Sequence, residues 1–228
     1  MLSYHLLGSP MYNQRLPAQQ RRAAILAAAA RLFSQSGFRG TTTRALAKAV
    51  GVTEPILYEH FRSKRELYAA IVESKSREGF QKGAALLEPY VKARDDRGFF
   101  TRLARFILEL YQADPAYARL LLFAALEEPE LGALFYQRQR EGYDCLAEYI
   151  RQRIEEGAFR PVDPALAVRA FLGMLFYHGQ SGVLYQDDYV KAGMEEVVEA
   201  MVDIFLNGIT VKAERTEANP QRLEEVQR

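Results

Sequence analysis

The chain of 228 residues has few of the side chains on which enzymes and metal proteins depend. It holds one cysteine, Cys145, and three histidines that lie far apart in the sequence, His5, His60 and His178. A single cysteine excludes a disulfide within one chain, and we expect it to be a small buried hydrophobe. Metal-ligand spacings, phosphate-binding glycine loops and the G-x-S-x-G motif are all missing from the sequence. We therefore predict that the protein is not an enzyme and uses neither a metal nor a cofactor.

Long apolar runs are missing as well. The sequence has no run of 18 or more apolar residues, so it predicts no membrane span. Its first 15 residues, MLSYHLLGSPMYNQR, lack the basic start and the apolar core of a secretory signal. Hydrophobic residues make up 49% of the chain and charged residues 26%, as in ordinary globular proteins. We expect a cytoplasmic protein with no membrane partner.

Charge is distributed unevenly along the chain. The formal net charge is only +1, but residues 1–65 carry 10 basic and 2 acidic side chains, an excess of +8. The remaining residues carry 20 basic and 27 acidic side chains, a balance of −7. A basic head on an acidic body is typical of a polyanion-binding module joined to a second functional part.

Capping residues, prolines and glycines divide the chain into nine predicted helices and no convincing strand pair, so we expect an all-α fold. The predicted helix starts lie at or near Pro17, Thr42, Thr53, Ser63, Asp95, Asp114, Pro129, Asp163 and Asp188. The fourth helix is expected to end at Pro89. We divide the chain into a mobile arm (1–16), a three-helix head (17–65), a helical ligand-binding and dimerisation body (66–210) and a flexible tail (211–228).

Residues 41–64, TTTRALAKAVGVTEPILYEHFRSK, predict two short helices joined by a tight turn at Gly51 and Val52. This pattern is typical of a helix-turn-helix, whose second helix enters the major groove of DNA. Hydroxyls and a guanidinium at the start of the first helix suit phosphate, and the early face of the second helix suits base edges. The candidate DNA-binding residues are Thr42, Thr43, Arg44, Thr53, Glu54, Pro55, Tyr58, His60 and Lys64.

Three motifs occur here in a specific register: G-F-R-G-T-T-T-R at 37–44, V-G-V-T-E-P-I-L-Y-E-H-F at 50–61 and S-K-R-E-L at 63–67. With them, residues 21–72 resemble the DNA-binding domain of the TetR/AcrR family of transcriptional regulators. The resemblance implies DNA contacts by Thr43, Pro55, Tyr58, His60 and Lys64. It also implies that Arg44, Thr53 and Glu54 help to read the operator.

Glu59 departs mildly from this pattern, because a carboxylate near a phosphate repels it. Its carboxylate could instead accept a hydrogen bond from the N4 amino group of cytosine or face solvent. The residues alone leave these readings open.

A homodimer is expected, because one head reads only a few base pairs and two recognition helices must lie about 34–36 Å apart. The resemblance implies an interface formed by the helices around 164–185 and 188–208. The first of them carries Gly173, Gly179 and Gly182 with Ser181, and the second has apolar residues at three- and four-residue spacing. That stripe consists of Met194, Val197, Val198, Met201, Ile204 and Phe205. The alternative is that these stripes pack only within the monomer.

The body is rich in aromatic side chains, most of which we expect to be ordinary core. The resemblance implies a cavity for a hydrophobic or aromatic small-molecule inducer among these helices. Candidate ligand-binding residues are Arg105, Phe106, Tyr111, Phe123, Tyr143, Phe171, Met174, Tyr177 and His178, with Gln180 as a further polar group.

The sequence thus indicates a ligand-responsive transcriptional regulator. We expect a repressor that binds a near-palindromic operator as a homodimer. An activator, or an architectural DNA-binding protein without an inducer, is the alternative.

Overall fold

The computed structural model describes residues 18–186 and 189–211. Every named element in this part of the chain is a helix, which confirms the all-α prediction, and one isolated antiparallel bridge joins Phe159 to Thr210. The helices are α1 (Ala18–Gly40), α2 (Thr43–Val50), α3 (Glu54–His60), α4 (Lys64–Ala93), α5 (Asp96–Ala113), α6 (Pro115–Glu127), α7 (Pro129–Glu155), α8 (Pro164–Tyr185) and α9 (Met194–Ile209). The predicted arm at 1–16 and tail residues 212–228 lie outside the described residues.

Local capping chemistry explains most of the helix starts. The side chains of Thr42, Asp95, Asp114 and Asp163 each accept a hydrogen bond from the amide three residues further on, at 2.8–3.1 Å. Such bonds satisfy amides that have no partner within the helix. Thr53 occupies the capping position of α3 without a side-chain cap. The sequence therefore predicted these helix starts from short-range interactions.

Two helix boundaries differ from the prediction. Helix α4 continues through Pro89 to Ala93, because a proline near a helix end removes only one amide donor and few turns remain to be disturbed. Helix α9 begins at Met194 and not near Asp188. Gly193 before it is extended (φ −69°, ψ 164°), so the helical geometry starts only at the next residue.

The described residues form two compact units. The first comprises residues 18–75 and 119–135, and the second comprises residues 76–118 and 136–211 with its gap at 187–188. Helices α4, α6 and α7 each contribute residues to both units. The segment 119–135, which contains the corner between α6 and α7, belongs to the first unit. The division made from the sequence did not include it in the head.

The first unit has a small aromatic core. Phe33 and Phe38 stack with ring centroids 5.5 Å apart, and the ring of Tyr68 meets both edge-on at 6.2 and 5.9 Å. Leu46 and Leu57, which come from α2 and α3, are also buried in this unit. Apolar burial on one side of these short helices leaves the opposite side of α3 available for another molecule.

The core of the second unit is formed mainly by α5, α8 and α9. The buried ring of Phe100 lies 4.9 Å from those of Phe171 and Phe205, which lie 4.8 Å from each other. Val197 and Val198 are buried in the same core. Most of the stripe on α9 that was predicted for the dimer interface is therefore core of the unit.

Cys145 is exposed on α7, so its predicted burial is wrong. The helix buries Leu146, Tyr149 and Ile150, and a residue one position before Leu146 points about 100° away from it. Among the described residues, none of the helices is both long and apolar enough to cross a membrane.

Candidate nucleic-acid interface

The turn between α2 and α3 is built on Gly51, whose left-handed backbone (φ 73°, ψ 32°) suits a glycine. Its amide donates to the carbonyl of Lys48 at 3.2 Å, and the amide of Val52 donates to that of Ala47 at 3.0 Å. These bonds satisfy carbonyls at the end of α2. The tight turn brings α3 next to α2 in a helix-turn-helix.

All nine candidate DNA-binding residues lie at the start of α2, on or next to α3, or at the start of α4. The exposed ones are Thr42, Arg44, Thr53, Pro55 and Tyr58, and the partly buried ones are Thr43, Glu54, His60 and Lys64. Tyr58 keeps 46% of its surface exposed although it is a large aromatic residue. The structure thus brings these side chains together around one helix. Glu59 is exposed on the same helix.

A hydrogen bond joins two of the candidates. The hydroxyl of Thr43 donates to Oε2 of Glu54 at 2.7 Å. Thr43 is the first residue of α2 and Glu54 is the first residue of α3. The bond therefore links the two helix starts, which the sequence analysis did not anticipate.

Lys64 is bonded within the protein. Its Nζ donates to the carbonyls of Phe38 at 2.7 Å and Thr41 at 3.0 Å, and lies 4.4 Å from the Phe38 ring centroid. Burial lowers the pKa of the Lys64 ammonium, while the charges of Glu127 and Glu128 oppose that shift. This ammonium thus holds the start of α4 against the end of α1 and the residue Thr41 that follows it.

The start of α4 carries a capping box in a shifted form. The amide of Glu66 donates to the hydroxyl of Ser63 at 3.0 Å, which caps the helix start. The Glu66 carboxylate accepts from the amide of Arg62 at 2.7 Å, one residue before the capping serine. The box fixes the loop that connects α3 to α4.

The sequence did not predict a set of contacts made by the acidic corner. We define this corner as Glu127 at the end of α6, Glu128 between the helices and Glu130 in the first turn of α7. Glu127 accepts a hydrogen bond from the amide of Arg39, and Glu128 pairs with the Arg39 guanidinium. No local pattern signals these contacts, since the partners are 88 and 89 residues apart.

The candidate ligand-binding residues are spread over the second unit, apart from one. Tyr111 hydrogen-bonds to Gln180, and its ring packs directly against the backbone at Gly179. Tyr143 lies close enough to Tyr111 for their ionisations to influence each other. Burial raises the pKa of Tyr111, and it raises the pKa of Tyr143 to about 12. These phenols stay neutral at ordinary pH and can donate hydrogen bonds.

The other candidates occupy different surroundings. Phe171 is fully buried in the core, Tyr177 is 72% exposed, and the Arg105 guanidinium pairs with the carboxylate of Glu195. The ring of Phe106 packs over Gly83, and Phe123 belongs to the first unit. Met174 and His178 are partly buried on α8.

Comparison with known proteins identifies the family. Residues 25–71 match the family described as bacterial regulatory proteins, tetR family, and residues 98–208 match the AefR-like transcriptional repressor, C-terminal domain. The chain is 32% identical over 152 residues to the nucleoid occlusion factor SlmA of Marinobacter nauticus, covering 66% of this chain and 73% of that protein. The chain belongs to the TetR family. The resemblance found in residues 21–72 is thereby confirmed.

Solved structures share the fold of this TetR-family protein. A tetR-family transcriptional regulator from Mesorhizobium loti is 22% identical and superposes with a TM-score of 0.70, over 85% of this chain and 98% of that one. AibR, solved with isovaleryl coenzyme A and operator DNA, is 25% identical with a TM-score of 0.60, over 81% and 97% of the two chains. The TetR-family protein is accordingly a transcriptional regulator and not an enzyme.

Proposed function

We propose that this TetR-family regulator is a repressor that binds a near-palindromic operator as a homodimer and is released by a hydrophobic small molecule. The observation that carries the proposal is the exposed face of α3 beside the start of α2. Thr53, Pro55 and Tyr58 are exposed there, next to the exposed Thr42 and Arg44. The match of residues 98–208 to a transcriptional repressor domain supports repression over activation.

The interface offers two kinds of DNA contact. Thr42, Thr43 and Arg44 stand at a helix N-terminus, where amides, hydroxyls and a guanidinium bind phosphate oxygens. We assign base-edge contacts to the early face of α3, because such contacts carry the sequence information. The residues proposed for α3 and its flanks are Thr53, Glu54, Pro55, Tyr58, His60 and Lys64.

The dimer is proposed to form through exposed small and apolar residues of α8 and α9. These residues recur at three- and four-residue spacing, which places each set on one helical face. They are Leu166, Ala170, Gly173 and Tyr177 on α8, and Ala200, Ile204 and Gly208 on α9. The exposed stripe differs from the predicted one, because Val197, Val198 and Phe205 belong to the core. Packing it against a second copy would form a four-helix bundle.

The ligand is proposed to bind in the second unit, near the neutral phenols of Tyr111 and Tyr143. Ligand sites are mostly apolar with a few polar groups that orient the ligand, and this part of the chain supplies both. AibR, a structural relative, binds an acyl coenzyme A. We therefore favour a ligand with an acyl or other apolar body and a hydrogen-bond acceptor.

The ligand must prefer one conformation over the other to act as a switch. Moving the population from 1:99 to 99:1 requires a preference of about 5.5 kcal/mol. Helix α4 contributes residues to both units and starts at Lys64, within the candidate interface. We propose that α4 transmits the change of state to the DNA-binding residues.

The test is selection of bound duplexes from fragments of the source genome and from a random pool, followed by affinity measurements on the recovered sequence. A repressor should recover a near-palindromic site and bind it at least about 10³-fold more tightly than random DNA. The logarithm of affinity should fall with the logarithm of salt concentration by about 0.9 per neutralised phosphate.

The Tyr58→Ala variant tests the assignment of α3, since it removes an exposed side chain from that helix. It should lose affinity for the selected site more than for random DNA. Equal affinity of the wild-type protein for all duplexes would instead indicate an architectural protein. If the protein raised transcription from a promoter that carries the selected site, it would be an activator.

A further inference from the structure

The acidic corner contacts two segments of the first unit that lead into the candidate DNA-binding residues. One is the bend at the end of α1, where Gly37 has a non-helical backbone (φ 70°, ψ 173°), and it is contacted through Arg39. The other is the start of α4, where the Arg65 guanidinium pairs with Glu128 at 3.1 Å and also with Glu130. The Glu128 side chain keeps only 22% of its surface exposed and pairs with both arginines. It is therefore held on two sides.

The Glu127 carboxylate sits directly on the bend. Gly37 has a positive φ of 70°, and a Cβ built on it would lie 2.3 Å from Oε1 of Glu127. The other oxygen, Oε2, accepts the hydrogen bond of the Arg39 amide at 2.9 Å. The positive φ at position 37 favours a glycine, and the missing Cβ leaves room for the Glu127 carboxylate. The carboxylate therefore holds the backbone of the bend, which a loose surface ion pair does not do.

The bend is coupled in turn to the phosphate-binding end of α2. The Thr41 hydroxyl is buried and lies 2.8 Å from the carbonyl of Gly37, to which it donates. The Thr41 carbonyl accepts from Nζ of Lys64. Thr42, the next residue, caps α2. A shift of the bend would thus move the capping residue of α2 and the start of α4 together.

We infer that Glu127 and Glu128 are positioning residues for DNA binding, which hold the bend and the start of α4 in the geometry that engages DNA. The inference rests on the proposed binding of a specific operator. Helices α6 and α7 continue from the acidic corner into the second unit. The corner therefore connects that unit to the DNA-binding residues along the chain, in addition to α4.

The experiment measures affinity for one labelled duplex of about 30 base pairs that the wild-type protein selects from a random pool. Glu127→Ala and Glu128→Ala should each weaken binding roughly three- to ten-fold, the range expected for losing one partly exposed charged contact. The slope of affinity against salt should stay unchanged, because the phosphate contacts themselves remain. Amide exchange in residues 37–42 should become faster in Glu127→Ala.

The matched control is Glu148→Ala, which removes the same charge from an exposed pair with Arg151 on α7. It should change the affinity less than two-fold, since losing one negative charge alone has little effect at moderate salt. Glu127→Gln and Glu128→Gln keep the side-chain shape and should lose less affinity than the alanine variants. Urea denaturation of each variant shows whether it is folded. If an alanine variant is unfolded, the glutamine variant at the same position still tests the inference.

Two results would overturn the inference. One is unchanged affinity in all four variants at positions 127 and 128. The other is tighter binding with a steeper salt slope, which would show that the carboxylates compete with phosphate for Arg39 and Arg65. If the wild-type protein selected no duplex at all, the proposed operator binding would fail first.

Discussion

The hydroxyl of Thr43 lies 2.7 Å from Oε2 of Glu54, to which it donates a hydrogen bond. The bond joins the first residue of α2 to the first residue of α3. If α2 contacts phosphates and α3 contacts bases, as proposed, this bond fixes one set of contacts relative to the other. Glu54 thus has a role in positioning, besides any direct contact with DNA.

Glu54→Ala should lower affinity for the selected duplex about five-fold, which corresponds to roughly 1 kcal/mol for one hydrogen bond. It should also weaken discrimination between the selected duplex and its single-base variants. Glu54→Gln keeps an acceptor oxygen and should lie closer to wild type. A normal affinity for Glu54→Ala together with normal discrimination would contradict this role of the bond.

The partly buried ion pair of Asp96 and Arg153 should contribute to stability. The Arg153 side chain is 11% exposed and donates to both Asp96 oxygens at 2.8 and 2.9 Å, and the Tyr149 hydroxyl donates to Asp96 at 2.7 Å. Asp96→Ala leaves the Arg153 guanidinium with Glu156 as its remaining carboxylate partner and should lower the free energy of unfolding by about 2 kcal/mol. Urea denaturation measures the change.

The control for Asp96→Ala is Glu148→Gln on α7, the helix that carries Arg153. Both members of the pair of Glu148 with Arg151 are about half exposed. This variant should change the free energy of unfolding by less than about 0.5 kcal/mol. Equal effects of the two substitutions would argue against a stabilising role for the pair of Asp96 and Arg153.

Buried tyrosines should make the protein less stable at high pH. Burial raises the pKa of Tyr117 and of Tyr143 to about 12, and it also raises the pKa of Tyr149. In the unfolded chain these phenols ionise near pH 10, so above that pH the folded state retains protons that the unfolded state has released. The contribution of these tyrosines to the free energy of unfolding is therefore fully present below about pH 10 and is lost as pH rises toward 12.

Denaturant unfolding between about pH 8 and 11 measures this slope, and absorbance of the phenolate reports ionisation directly. Tyr117→Phe should reduce the slope by up to one proton. An identical slope in this variant and in the wild-type protein would exclude Tyr117 as a contributor.

Gly179 should not accept a side chain. A Cβ at this position would lie 2.4 Å from Cδ2 of Tyr111, so Gly179→Ala must displace the ring. We expect a loss of about 1–3 kcal/mol from overpacking, partly offset by better helix propensity. Gly142→Ala on α7 is the control, because no atom lies within 4 Å of its Cβ position, and it should gain up to about 1 kcal/mol. Thermal or urea denaturation compares the two variants, which should differ in sign.

Ile204 should support dimer formation. Its side chain is 66% exposed on α9, although it is a large apolar residue. Ile204→Asp places a charge in the proposed bundle and should raise the dimer dissociation constant by about 30-fold or more. Light scattering with size exclusion measures the mass. Leu126→Asp, at an exposed leucine of α6, should leave the dimer intact, and dissociation in both variants or in neither would contradict the proposed face.

Much of the fold could be predicted because it depends on contacts between near neighbours. Thr42, Asp95, Asp114 and Asp163 cap their helices through amides three residues away, and Gly51 makes the turn by its own conformational freedom. The motif in residues 41–64 holds its candidate contacts within 24 residues, so the helix-turn-helix geometry collects them without any distant contact.

Predictions about helix faces were less successful. The apolar spacing on α9 showed that one side is buried but could not distinguish core from dimer interface, since both have the same periodicity. Val197 and Phe205 pack in the core of the second unit, whereas Ile204 is exposed. Cys145 is exposed for the same reason, because its position on the helix and not its chemistry decides which way it points.

The sequence by itself determined the family, the all-α fold and the helix-turn-helix that carries the proposed DNA contacts, since these depend on local capping, turn chemistry and motif register. Only the tertiary structure decided how those residues are held. The carbonyls that fix Lys64 are 26 and 23 residues away from it, and the carboxylate that holds the Arg39 amide is 88 residues away. Such pairings arise when packing brings together groups that are distant in the sequence, and the periodicity of the sequence does not predict them.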